Sequence, residues 1–153
     1  RGSAEDSYRC GQKVARGGLR IEPLKTSVRT SFVVEVMKTE DPQKVKRAVL
    51  NILPGIEIRE DASGRLLTGE SSDPRCLIAL YEQIRARRIA GVVRRLYEEH
   101  LVGERSWLYF NKQAAYAGSV VVCEDPSESP LGPIKVYFEC SDKDVFLDWL
   151  APM

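Results

Sequence analysis

Apolar and polar side chains alternate along residues 28–37. Phe32, Val34 and Val36 fall on one side, and Ser31, Val33, Glu35 and Met37 on the other. A period of two predicts a strand with one well-buried face. Asp41-Pro42 then opens a helix, with Asp as N-cap and Pro at the first helical position. Val45, Ala48, Val49 and Ile52 form its apolar stripe, and Pro54-Gly55 ends it. Residues 56–60 and 65–68 read as two short strands around the turn Asp61-Ala62-Ser63-Gly64.

Asp73-Pro74 repeats the helix-start pattern, and a helical stretch runs from there to about Leu101. Leu77, Leu80, Tyr81 and Ile84 define one apolar stripe. Ile89, Val92, Val93 and Leu96 define another, displaced by roughly a third of a turn at about 100° per residue. One straight helix cannot hold both stripes on one core. The pattern predicts a kink, two helices, or halves that meet different neighbours, with the break at Arg85-Ala86-Arg87-Arg88.

Three strand candidates follow Gly103: residues 105–110, 118–123 and 134–140. Asp125-Pro126 has the helix-start pattern, but Pro130, Gly132 and Pro133 make residues 125–133 a rigid loop. A last helix, capped by Ser141 or Asp142, uses Val145, Phe146, Trp149 and Leu150. Together these elements predict an α+β domain.

The chain has 153 residues, which is one ordinary domain, and 43% of them are apolar, enough for a core. Its net charge is +1. That excludes a histone-like polycation but not a local basic patch. The charge is unevenly placed. Residues 1–29 carry seven basic and three acidic side chains, whereas residues 123–153 carry two basic and seven acidic ones. Residues 1–29 therefore read as a basic, mobile N-terminal arm, either a plain leader or a segment that binds nucleic acid through its cations. Residues 30–153 read as the folded domain. No apolar run approaches the roughly 18 residues of a membrane span. No two of Cys10, Cys76, Cys123 and Cys140 form a C-x-x-C pair, so no metal site is expected and a reducing cytoplasm is the simplest setting. His100 is the only histidine and reads as a helix-terminal cation.

Four constellations bear on chemistry. Arg85, Arg87, Arg88, Arg94 and Arg95 lie in a stretch, residues 83–97, without any acidic residue. Guanidinium groups repeated along a helix match phosphates, although partners from the acidic C-terminal region would make them a solvated face. Asn111, Lys112 and Gln113 follow a strand and precede Ala114-Ala115-Tyr116, a pattern suited to a phosphate and a stacked base or to a simple polar connection. Trp107 and Tyr109 share one side of their strand, and Lys135, Tyr137 and Glu139 share one side of theirs. Aromatics interleaved with cations on an open sheet stack single-stranded bases, and aromatic sheets also form dimers. Glu124, Asp125 and Glu128 lie together, but no phosphate loop, dinucleotide fingerprint or catalytic constellation accompanies them, so no enzyme and no cofactor is expected.

Three segments carry a resemblance. They are Thr39-Glu40-Asp41-Pro42-Gln43-Lys44-Val45-Lys46-Arg47-Ala48, Asn111-Lys112-Gln113-Ala114-Ala115-Tyr116-Ala117-Gly118, and Glu128-Ser129-Pro130-Leu131-Gly132-Pro133-Ile134. In this order and spacing the chain resembles archaeal uncharacterised protein family 0201 (domain of unknown function 54) over about residues 31–150. The resemblance implies an antiparallel sheet with helices packed on one face, similar to ribosomal protein L5. It also implies an RNA-binding protein, associated by inference with the exosome, and supplies no catalytic residues. An archaeal source offers a second reading of the arginines, as members of ion-pair networks. The leading expectation is a non-catalytic RNA-binding domain that uses the arginine face with Asn111, Lys112 and Gln113. The rival is an assembly module that forms a homodimer through Trp107, Tyr109 and Tyr137.

Overall fold

A computed structural model describes residues 21–153. Its first strand, β1 (Val28–Glu35), buries Val28, Thr30, Phe32 and Val34, the side predicted from alternation. Helix α1 (Pro42–Ile52) begins where Asp41 accepts a hydrogen bond from the Gln43 N–H. Its buried residues are Val45, Ala48, Val49 and Ile52, the predicted stripe. Strands β2 (Arg59–Glu60) and β3 (Leu66–Ser71) form the expected hairpin. Its turn is held by the Asp61 carboxylate, which accepts from the Ser63 hydroxyl and the Arg65 and Leu66 N–H groups. Gly64 supplies the positive φ of 73°.

The long helical stretch is broken in two. After a 3₁₀ turn at Pro74–Leu77, α2 (Ile78–Arg87) and α3 (Ala90–Glu99) are separate helices. Arg88 adopts a left-handed conformation at φ 57°, and the Ile89 N–H donates to Ile84 O at 3.2 Å. That is the six-to-one bond of a Schellman cap, in which glycine is the usual left-handed residue. The break lets Leu80, Tyr81 and Ile84 on one helix, and Val93, Leu96 and Tyr97 on the other, reach the same core.

Strand β4 (Arg105–Phe110) follows, then the short helix α4 (Lys112–Tyr116) and the strand β5 (Val122–Cys123). Residues 118–121 were expected to belong to that strand and do not. The Gln83 side chain takes two of their hydrogen bonds, donating to Gly118 O at 2.8 Å and accepting from Val120 N at 2.7 Å, while Gly118 N and Ser119 N donate to carbonyls of α4 and Val121 O accepts from Asn111 N. The loop after β5 holds one 3₁₀ turn, Pro126–Glu128, before β6 (Ile134–Cys140) and the closing helix α5 (Lys143–Leu150).

All strand pairs are antiparallel, and the order is β2-β3-β1-β6-β4-β5. Phe32, Val34, Leu108, Phe110, Val136 and Phe138 project into the core beneath the helices. Among the described residues no helix covers the opposite side of the sheet. The fold is α+β, an antiparallel sheet with its helices packed on one face. The basic arm assigned to residues 1–29 lies outside the described residues as far as residue 20. Further on, Ile21 and Leu24 pack against the core. Glu22 N donates to the Tyr81 hydroxyl, and Trp149 Nε1 donates to Glu22 O.

Candidate nucleic-acid interface

The five arginines do not form one free face. Arg85 donates to Trp149 O at 2.9 Å, with its guanidinium 4.0 Å from the Tyr81 ring centroid. Arg94 donates to Ala151 O at 3.0 Å and to the Asp148 carboxylate at 3.3 Å. Both guanidinium groups therefore satisfy carbonyls at the end of α5, where cations are favoured by the helix dipole. Arg95 bonds Glu124 at 2.9 Å and Glu99 at 3.2 Å, which hold its pKa above the usual arginine value. Arg87 and Arg88 are exposed and have no ion-pair partner among the described residues. The acidic C-terminal region thus supplies partners for Arg94 and Arg95, and only Arg87 and Arg88 remain open to a phosphate.

Asn111, Lys112 and Gln113 also separate. Asn111 Oδ1 accepts from Ala114 N at 2.8 Å and caps α4. Lys112 is 3% exposed. Its ammonium donates to Glu35 O at 2.8 Å, Glu40 Oε1 at 2.9 Å and Leu131 O at 2.6 Å. An ammonium has three donors, so none is left for a phosphate. The expectation that Lys112 positions a nucleic acid strand gives way to a structural role: it ties the end of β1 to the loop before β6. Ser129 reinforces the tie, accepting from Lys112 N and donating to Gly132 O. Gln113 alone is exposed, at the rim of a cavity of about 370 Å³.

The uncovered side of the sheet is built differently. Register aligns Ser31, Tyr137 and Trp107 in one row, and Val33, Lys135 and Tyr109 in the next. The Lys135 ammonium lies 4.6 Å from the Trp107 centroid, 4.9 Å from Tyr137 and 5.7 Å from Tyr109. The Arg105 guanidinium lies 4.3 Å from the Tyr137 centroid. Neither cation has a carboxylate within ion-pair distance among the described residues. Ring quadrupoles hold these charges in place without neutralising them. At the margin Arg29 pairs with Glu70 at 3.1 Å.

His100 completes the arrangement. It stacks on Trp107 at 4.8 Å with an interplanar angle of 6°, and its edge meets Tyr109. Its Nδ1 is 2.7 Å from Trp107 O. A carbonyl can only accept, so Nδ1 carries the proton. Sequence reasoning read His100 as a helix-terminal cation and gave Arg105 no role. Period-two alternation already placed Arg105 beside Trp107 and Tyr109. The position of His100 depends on how α3 turns into β4, and no local pattern signals that.

The remaining candidates are occupied or inert. Glu128 accepts from Glu124 N, and the Ser127 N–H and hydroxyl hold the Asp125 carboxyl below its ordinary value. Burial raises the thiols of Cys76 and Cys123 to about 11. Among the described residues no three His, Cys, Asp or Glu side chains gather as a metal site, and no helix is long and apolar enough to cross a membrane.

Comparison with known proteins bears on this arrangement. A family model described as RNA binding matches residues 29–140, from β1 to the end of β6. A UPF0201 protein of Thermococcus onnurineus is 42% identical over 119 residues, spanning 76% of this chain and 86% of that protein. The chain belongs to the UPF0201 family. A crystal structure of an uncharacterized UPF0201 protein matches with a TM-score of 0.72 at 28% identity, covering 82% of this chain and 94% of the other. The UPF0201 protein of Methanococcus jannaschii matches with a TM-score of 0.68 at 27% identity, over 82% and 93%. In this UPF0201 chain the RNA-binding match takes in the whole sheet and ends before α5.

Proposed function

We propose that this UPF0201 chain is a non-catalytic RNA-binding protein and that single-stranded RNA lies across the open face of its sheet. The observation that carries this reading is the pair Lys135 and Arg105, two cations held by aromatic rings with no carboxylate within ion-pair distance among the described residues, although Glu139 lies opposite Arg105 in the register. A cation without an ion-pair partner needs no exchange of partners to meet a phosphate. Tyr109 and Tyr137 offer ring surface to bases beside it, as single-strand platforms do. Arg87 and Arg88 add a smaller basic patch on the helical side. A cytoplasmic RNA-processing setting, with exosome association, is the finer form of the same proposal, and copurification from native extract tests it.

Fluorescence anisotropy with a short oligoribonucleotide tests the interface. Affinity should fall with salt along a log–log slope of about −2, as expected for roughly three phosphates on a single strand. Arg105→Glu combined with Lys135→Glu should abolish binding, and Arg87→Glu combined with Arg88→Glu should weaken it only modestly. Equal retention of RNA by the Arg105/Lys135 variant refutes the sheet face. A homodimer through the same face would desolvate Lys135 and Arg105, neither of which has a carboxylate within ion-pair distance among the described residues, a costly step. Sedimentation should therefore show a monomer at all concentrations, and a dimer dissolved by Tyr137→Ala would favour the rival.

A further inference from the structure

The turn before α1, the helix α4 and the loop at Leu131 line an open cleft of about 370 Å³ at one end of the sheet. That volume lies within the range of roughly 300–1,000 Å³ typical of small-ligand sites. Val45, Ala48 and Leu131 give it an apolar lining. Tyr116 forms one wall and is 40% exposed, unusual for a large aromatic ring. The Lys44 ammonium lies 5.9 Å from that ring's centroid and has no ion-pair partner among the described residues.

The backbone donors at the start of α1 are already in use. Gln43 N donates to the Asp41 carboxylate, and Lys44 N and Val45 N donate to Asp41 O. All three donors of Lys112 are likewise engaged. A bare anion would therefore find no cradle of N–H groups. Beside the Thr39 hydroxyl and the Asp41 carboxylate, which is held by Gln43 N, the lining offers the Gln113 amide, with a donor and an acceptor in one plane, next to a ring and an ammonium with no ion-pair partner among the described residues. A planar base with mixed donors and acceptors on its edge fits the ring and the amide. A phosphate attached to that base fits Lys44.

We propose that this cavity takes one unstacked nucleotide, with its base against Tyr116, its edge on Gln113 and its phosphate on Lys44. The nucleotide is either a free nucleoside monophosphate or the terminal residue of an RNA strand. The site shares no residue with the sheet face, so it stands whether or not RNA lies across the sheet.

Ligand-observed NMR and calorimetry on the full chain test it. The probes are the four nucleoside 5′-monophosphates, inorganic phosphate and a short 5′-phosphorylated oligoribonucleotide. At least one monophosphate should bind, and Tyr116→Ala and Lys44→Glu should each weaken it about tenfold, the order expected for loss of a stacked base. Arg105→Glu should leave monophosphate binding unchanged. Binding of the oligonucleotide alone, with the same dependence on Tyr116, assigns the site to a strand end. The proposal is overturned if neither binds, if inorganic phosphate binds as well as the monophosphates, or if binding ignores Tyr116→Ala. A urea midpoint for each variant checks folding, and Tyr116→Leu, which keeps bulk but removes the ring, replaces the alanine variant if that one unfolds.

Discussion

Lys112 and Glu40 sit together where β1 and β4 end, and their ion pair is almost wholly buried, at 3% and 11% side-chain exposure. Removing one partner of such a pair leaves an uncompensated charge in the interior. Lys112→Met should destabilise the chain by about 3–5 kcal/mol, and adding Glu40→Gln should recover much of that loss, as read by urea unfolding. Arg88 makes the opposite case. Its left-handed backbone costs a non-glycine residue about 1–2 kcal/mol. Arg88→Gly should therefore raise stability slightly, by about 1 kcal/mol at most, read as a higher urea midpoint. Sequence reasoning named both residues as phosphate contacts. It could place Lys112 beside a strand end, but not see that three acceptors from residues 35, 40 and 131 converge on it.

Three carboxyls with lowered pKa values contribute to acid sensitivity at the same scale. The Arg75 guanidinium holds the Asp73 carboxyl below its ordinary value, the Ser63 hydroxyl and turn N–H groups do so for Asp61, and Ser127 does so for Asp125. A depressed folded pKa contributes stability that is fully present above the unfolded value, about 3.9. It is lost as pH falls through the folded values. The urea midpoint should hold from neutrality to about pH 5 and drop below pH 4, and Asp73→Asn should shrink that drop.

At the scale of elements, β1, β4, β6 and the break between α2 and α3 were legible because each rests on a periodicity within its own segment. The displaced stripes around residues 85–88 placed the break but left a kink, two helices or differently packed halves open; the structure has two helices, with Arg88 at the turn between them. Residues 118–121 were not legible, because their hydrogen-bond partners are the distant Gln83 side chain and the end of α4. Gly69 in β3 was equally silent. A Cβ there would lie 2.1 Å from Glu57 O and 2.7 Å from the Phe32 ring. Gly69→Ala should therefore push the β2–β3 hairpin off β1 and lower the melting temperature sharply, whereas Gly91→Ala, whose Cβ meets only Met153 at 3.8 Å, should be tolerated.

For the whole molecule the near-zero net charge conceals a division of labour. Acidic groups of the C-terminal half bind Arg94 and Arg95 on the helical side, while Lys135 and Arg105 on the open sheet lie against rings and have no ion-pair partner among the described residues. The sheet face was visible as alternation of Trp107 and Tyr109 against their neighbours, but its charge balance needed the register of β4 on β6. The three segments through which the chain resembles its family meet around Lys112 and the adjoining cavity, away from the arginine cluster. The most direct test of the sheet interface is ultraviolet crosslinking of the intact chain to a short single-stranded RNA, followed by mapping of the attached peptides. Crosslinks within Arg105–Phe110 and Ile134–Cys140, centred on Trp107, Tyr109 and Tyr137, are the predicted result. Crosslinks confined to Ile78–Arg87 and Ala90–Glu99, or none at all, would contradict it.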